Sequence, residues 1–455
     1  DATTAQFGTV ANGDLSSGNL AFWGSTYSSL PPSSVGSGNR YVFASNSQTV
    51  SATVETTNAS KTYGSAAINL SSYVSVSASA SASGPYLTTA SGTYTLADLF
   101  STLPSITSLG NTTTASVSGG PYAITASSGV VKAGFTVTFA NNGVLSITPK
   151  TITVTGSFTG TKVYDGLLTV TGSGTGVSFG GVINNDAVTL SGITGNFNDR
   201  HVGTGKTFTL SGLTLAGADA ANYTLDPASS VSGIGSITQL SSVTWSGPAA
   251  GGNWSSAANW GNAIPDRGNV ALAIIPSSVT GTVVADTANS YSGKIQINGG
   301  TLAVANDTYL GAVPSGVVSD AITLDGGSLQ FTQSITLSTN RGVQLGSGNG
   351  TFAVDATKSV AYAGVIAGTG GLVKSGSGTM TLSGANNYSG GSTISAGSLK
   401  LGVASVGAVG SVTSGALGTA AITVDSGAAL DLNGMTLPNA LSVSGTGISS
   451  GGSLF

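Results

Sequence analysis

The chain has no cysteine in 455 residues, one histidine (His201) and one glutamate (Glu55). Without cysteine there is no disulfide framework and no thiolate, as nucleophile or as metal ligand. The absence suits a chain that must thread a narrow pore, because a disulfide closes a loop that cannot pass. Charge is scarce too. Only 7 % of residues are charged, against about 25 % in an ordinary globular domain. Thirteen Lys+Arg against 17 Asp+Glu give a net charge of -4 and a pI near 4.7, which leaves no basic footprint and excludes a nucleic-acid partner. No run approaches the roughly 18 apolar residues of a membrane span. No charged-then-apolar signal segment opens the sequence, which starts Asp1-Ala2-Thr3, so an exported protein would be represented here by a mature or excised segment. Hydrophobic residues at 40 % and a mean hydropathy of +0.28 exclude disorder driven by charge.

What remains is small, hydroxyl-rich and alternating. Thr151-Ile152-Thr153-Val154-Thr155, Phe135-Thr136-Val137-Thr138-Phe139 and Ala187-Val188-Thr189-Leu190 each place apolar side chains on one sheet face and hydroxyls on the other. Ser and Thr solvate the outer faces in place of Lys and Glu. One helical pattern breaks the rule: Leu96, Leu99, Phe100 and Leu103 fall at i, i+3, i+4 and i+7, with Pro104 as the stop. The expected fold class is all-β.

Five stretches follow. Residues 1–49, with Phe22-Trp23 and Pro31-Pro32, read as an extended or partial module. Residues 50–149 hold Lys61-Thr62-Tyr63-Gly64 and close with Phe135–Phe139, Asn141-Asn142-Gly143 and Val144–Thr148, where Asn-Gly between alternating runs predicts a hairpin. Residues 150–239 repeat that plan, with Lys162-Val163-Tyr164-Asp165-Gly166 about 100 residues after the first Lys-x-Tyr, the length of one sandwich domain. Residues 240–293 hold three of the four Trp (Trp245, Trp254, Trp260) and read as a junction or cap that plugs the end of a core. Residues 294–455 repeat a strand-corner-strand unit: Ile295–Val304, Ile322–Phe331 and Ile422–Leu430 are alike, and weaker copies start at Val343 and Thr393. Such a unit cannot bury its apolar side alone, so copies stack at about 4.8 Å per strand. About eight coils would make a rod of roughly 40 Å.

Lys162–Gly166, Gly203-Thr204-Gly205-Lys206-Thr207 and Gly217-Ala218-Asp219-Ala220-Ala221-Asn222-Tyr223 resemble the YDG-type domain. Residues 50–149 resemble its MBG relative, without the Gly-Ala-Asp-Ala-x-Asn-Tyr segment. The stretch 364–402, with Gly378-Thr379-Met380-Thr381-Leu382-Ser383-Gly384 and Gly397-Ser398-Leu399-Lys400-Leu401-Gly402, resembles the passenger-associated strand repeat of autotransporters. The resemblance implies immunoglobulin-like β-sandwich modules followed by a parallel β-solenoid, in a segment of a bacterial adhesin or autotransporter passenger, secreted or held at the cell surface.

Motifs that would carry chemistry have plainer readings. Gly205-Lys206-Thr207 lacks the first glycine and the following helix of a phosphate loop, and reads as a hairpin turn. Gly176-Val177-Ser178-Phe179-Gly180 and Gly447-Ile448-Ser449-Ser450-Gly451 match the nucleophile-elbow pattern by chance in a chain with 69 Gly; His201, beside Asp199 and Arg200, reads as a loop residue. Asp325, Asp425 and Asp431 suggest the acid pair of a β-helix glycosidase, but a recurrent corner Asp is an Asx-turn residue bonding its own backbone. Calcium at those corners stays open. Thr-x-Thr pairs do not recur on every coil, which argues against an ice-binding array. Asn-x-Ser/Thr triplets occur at Asn58, Asn69, Asn111, Asn222, Asn253, Asn306, Asn349 and Asn387, and glycosylation there stays open.

The expectation is a non-catalytic extracellular adhesive stalk with no catalytic residue, no cofactor and no metal. Its partner would be a host, glycan or neighbouring-cell surface. The alternative is a self-assembling filament or biofilm-matrix subunit using strand addition by residues 1–49, since few charges protect its edges. A polysaccharide-degrading β-helix enzyme is third.

Overall fold

Alternating Thr/Val and Ser/Leu runs become short strands throughout the chain, and the protein is all-β, with immunoglobulin-like β-sandwich modules ahead of a parallel β-solenoid. The computed structural model describes residues 21–23, 41–43, 50–80, 94–132, 135–227, 231–448 and 451–454. Most of the stretch 1–49, and with it the strand-addition expectation, lies outside these; within it Ala21–Trp23 pairs in parallel with Tyr41–Phe43.

Two compact units divide the chain, and four long strands (Lys150–Val163, Thr169–Gly180, Thr189–Phe197, Gly203–Ala216) supply residues to both. The first unit comprises Asp1–Gly156, Gly176–Gly192 and Leu213–Ser230. Here Val50–Thr56 is flanked by Phe135–Ala140 in parallel and Val74–Ala80 antiparallel, over a core of Ala52, Val54, Leu99, Phe100 and Ala126. Val144–Thr148 lies between Ala59–Thr62 and Tyr122–Ala123. Its core includes Tyr63, Leu70, Ile124, Leu145 and Ile147, and Ile152 and Tyr223 enter it from the following stretch.

Two local expectations are corrected here. The hairpin at Asn141-Asn142-Gly143 does not form: its flanking strands pair with Val50–Glu55 and Ala59–Thr62, so the chain changes sheets there. Gly143 abuts the backbone of Thr56 and Thr57, its N–H donates to Thr56 Oγ1, and the Asn141 side chain bonds Ala126; these tertiary contacts override the turn preference. The helix of Leu96 to Leu103 stops after Leu96–Leu99, which Thr95 and Asp98 cap. Phe100–Thr102 is strand, paired with Val130–Val131; Phe100 is buried and Leu103 exposed, so a sheet-edge pairing wins over an apolar stripe too short to hold a helix.

The second unit comprises Ser157–Thr175, Ile193–Gly212 and Val231–Phe455. At its start Phe158–Val163 pairs in parallel with Gly233–Thr238 around Phe158, Phe197 and Phe208. Parallel ladders begin at Val243 and Gly251 and grow into sheets of six and nine strands; a third sheet of five strands starts at Ile335. The inner column of the nine-stranded sheet runs Val283, Leu302, Leu329, Phe352, Lys374, Ile394 and Val424, all buried. Ahead of it Trp254 and Trp260 meet edge to face at 4.7 Å, and Trp245 and Tyr291 complete the cluster.

The third sequence repeat changes face. Ile295 aligns with Ile322, and Leu302 with Leu329, in register on the six- and nine-stranded sheets. Ile422–Val424 instead joins the nine-stranded sheet, and Ala428–Asp431 the five-stranded one. Each face makes the same demand of the sequence, an apolar-polar-apolar triplet and a tight corner, so similarity between repeats does not fix the face.

Candidate functional site

Gly205, Lys206 and Thr207 lie inside the strand Gly203–Ala216, at an irregularity in its pairing, not at a hairpin turn. Lys206 Nζ donates to Asp199 Oδ1 at 2.6 Å. Ser178 is a strand residue whose hydroxyl bonds Thr155 Oγ1 at 2.8 Å, while His201 Nδ1 meets Asn269 Nδ2 at 2.9 Å. Ser449 lies outside the described residues.

The corner aspartates do not gather. Asp325 follows a strand of the six-stranded sheet and Asp425 one of the nine-stranded sheet. Asp325 Oδ1 accepts the Gly348 N–H of the adjacent coil at 2.7 Å, which replaces the expected bond to its own turn. Asp431 does form the Asx turn, accepting from Asn433 N at 2.8 Å, and faces Lys400 at 3.6 Å. Glu55 takes a bond from Asn142. Among the described residues no three His, Asp or Glu side chains cluster as metal ligands. Six of the triplet asparagines (Asn58, Asn69, Asn111, Asn222, Asn306 and Asn349) bind backbone groups through their side chains.

Two buried cations shape the solenoid. Lys374 occupies the apolar column between Phe352 and Ile394, and its Nζ donates to the carbonyls of Ser375, Gly376 and Ala396 at 2.8–3.0 Å. Burial lowers this ammonium to about 8. Arg341 Nε donates to Asp307 Oδ1 at 3.0 Å, and its remaining nitrogens reach the carbonyls of Asp307, Leu310 and Gly311. These carbonyls close the short helical turn Asp307–Leu310, whose free acceptors a forked cation satisfies well. Neither residue belongs to a motif that the sequence marks for chemistry. A lone Lys in an otherwise apolar register, followed by Ser-Gly, was the signal for Lys374.

The outer face of the nine-stranded sheet carries one column of side chains in strict register: Thr282, Thr301, Ser328, Thr351, Val373, Thr393, Thr423 and Ser442. A hydroxyl thus recurs on nearly every coil of this face, about 4.8 Å apart. The column beside it is mixed (Val284, Ala303, Gln330, Ala353, Ser375), so no two-column lattice forms. On the six-stranded side a groove of about 690 Å³ runs under Ala312–Val318, with Lys294 and Arg341 at its wall.

A passenger-associated-transport repeat matches residues 280–304 and 372–401, and both begin next to or on strands of the nine-stranded sheet. A YDG domain matches residues 148–231. The chain carries the modules of an autotransporter passenger. It is also similar to the adhesin BmaC autotransporter of Brucella suis biovar 1 (strain 1330), 40 % identical over 113 residues. That match covers 24 % of this chain and 3 % of the relative, so the chain spans a small part of that protein. No solved structure matches the chain significantly. A passenger segment belongs outside the cell or at its surface.

Proposed function

We propose that the chain is a non-catalytic adhesive stalk segment of a large bacterial surface protein, in which an MBG-like module (50–149), a YDG-like module (150–239) and a Trp-rich cap (240–293) lead into the solenoid. The observation that carries this is the continuous nine-stranded parallel ladder, whose coils include both passenger-repeat matches. A ladder of backbone hydrogen bonds gives length without a large core, and its charge-poor, hydroxyl-rich outer faces offer broad contact to a host, glycan or neighbouring cell. The likeness to an adhesin supports contact over turnover.

The test is saturable binding of the purified chain to intact cells and to arrayed glycans, with reducing-sugar release measured in parallel. Binding without sugar release is the expected result. Sugar release abolished by Asp325→Asn or Asp425→Asn would replace the adhesive reading with the enzymatic one. Sedimentation as polymers that dissolve when residues 1–49 are removed would favour the filament.

A further inference from the structure

Two places in the chain are built alike around a shared Lys-x-Tyr turn. In the first unit the turn after Ala59–Thr62 carries Lys61, Tyr63 and Gly64. In the second unit the turn after Lys150–Val163 carries Lys162, Tyr164 and Gly166. Each lysine donates to two backbone carbonyls: Lys61 to Ser65 of its own turn and to the distant Thr112, Lys162 to Leu167 and Thr169. Each tyrosine is buried, at 4 % and 1 % exposure, against residues of the stretch that follows its own. Tyr63 Oη donates to Asp186 Oδ2 at 2.8 Å, and Tyr223 shares that carboxylate at 2.5 Å. Tyr164 Oη donates to the Ile264 carbonyl at 3.3 Å, two residues before Asp266.

The likeness extends further. Gly64 and Gly166 both adopt a left-handed φ, +76° and +78°. A Cβ on Gly64 would collide with Ile183, and one on Gly166 with the backbone of Asn262, so both turns press on the next stretch at the glycine. Beside each tyrosine a valine N–H donates to a buried asparagine side chain of that next stretch: Val117 to Asn222 at 2.9 Å, Val202 to Asn269 at 2.8 Å. Both asparagines are almost fully buried, at 5 % and 1 % exposure. A buried acceptor is costly to leave unpaired, so each socket favours a neighbour that presents a donor at that point. The Arg200–Asp266 ion pair adds a charged tie to the second site.

We propose that the Lys-x-Tyr turn and its glycine form a docking peg, and that the Asp-bearing turn with its buried Asn forms the matching socket, so that each module is keyed rigidly to the stretch that follows it. The partner that a socket takes is thus the peg of a preceding module, recognised by a tyrosine ring, a close-approaching glycine and one backbone N–H. The joint explains why residues 176–192 and 213–230 pack with the stretch before them, whereas 157–175 and 193–212 pack with the stretch after. It goes beyond the adhesive reading and does not depend on it, because a joint is rigid or loose whatever the stalk binds.

The full chain allows a clean test, because it has no cysteine of its own. Spin labels at Ser72→Cys and Ala218→Cys span the first joint, and labels at Thr175→Cys and Ala288→Cys span the second. Pulsed dipolar spectroscopy should give a narrow distance distribution for both pairs. Tyr63→Phe with Asn222→Ala should broaden the first at least twofold and leave the second unchanged; Tyr164→Phe with Asn269→Ala should do the reverse. Far-ultraviolet circular dichroism reports folding, and where an asparagine variant fails to fold, Tyr63→Phe or Tyr164→Phe alone is read. Broad distributions in the unaltered chain, or widths that ignore the substitutions, overturn the proposal whether or not the chain adheres to cells.

Discussion

The solenoid and the residues before it solve the same problem at different distances along the chain. In the nine-stranded sheet each strand pairs with one 19 to 31 residues away, as in Thr282 to Thr301 and Gly251 to Thr282. Seven successive strands, from Val283 to Val424, rebuild the same inner column, and all seven of its side chains are buried. Ahead of it, Val50–Glu55 pairs with Phe135–Ala140 across most of a module, and its core cluster has five buried residues among those described. Short loops cost little closure entropy, so the solenoid grows by neighbour-to-neighbour addition. The sandwich stretches close long loops around small cores and draw on the next stretch for packing, as Ile152 and Tyr223 do in the first unit. The difference teaches that charge-poor β sequence is stabilised in two ways here, by repetition and by joints.

Four outcomes would break or sharpen that contrast. The largest is expected for Phe352→Ala in the inner column, beside Phe331 at 5.7 Å between ring centres. Loss of the ring should cost about 3–5 kcal/mol in urea unfolding followed by tryptophan fluorescence, and a cost near zero would mean that coils do not share one core. Next, Lys374→Met keeps the volume but strands three carbonyls, for a loss of about 1–3 kcal/mol in the same assay; a gain would show that water already serves those carbonyls.

The third outcome is a pH response of opposite sign in the two regions. The folded Lys374 ammonium, at about 8, lies below its ordinary 10.5. Below pH 8 both states carry the proton and the cost of burying it is complete. Between pH 8 and 10.5 the unfolded chain holds a proton that the folded chain has released, so stability rises with pH. Tyr164 and Tyr223 are raised to about 12, by burial first and then by Asp266 and Asp186 respectively. Their contribution is intact below pH 10 and is lost as pH climbs through 12. The stability of the unaltered chain relative to Lys374→Met should therefore increase from pH 8 to 10, and a flat difference would refute the Lys374 assignment. The smallest effect belongs to Lys294→Ala, which breaks an exposed pair with Asp320 and should shift stability by less than about 1 kcal/mol.

Much of the architecture was legible because its cause is local. Alternation in Thr151–Thr155 and the corner glycines of 294–455 announce strands, and stacked strands follow from units that cannot bury one side alone. What was not legible depended on partners distant in sequence. Asn141-Asn142-Gly143 looks like a hairpin until Thr56 takes the Gly143 N–H. Asp186, Asp266 and Asn269 sit in ordinary turn sequences; Asp186 gains its role from Tyr63 and Tyr223, Asp266 from Arg200 and Asn269 from Val202. The hydroxyl column from Thr282 to Ser442 was hidden by coil lengths that vary from one turn to the next, so no fixed period exposes it.

Residue chemistry by itself determined a strand-built, charge-poor, disulfide-free chain of repeated units, because side-chain alternation and backbone preference act over a few neighbouring residues. Tertiary structure alone decided which face each repeat occupies, where a buried cation is tolerated and which turns become pegs or sockets. Those outcomes rest on pairing buried donors with acceptors contributed from 22 to 123 positions away, and no local pattern encodes such a partner.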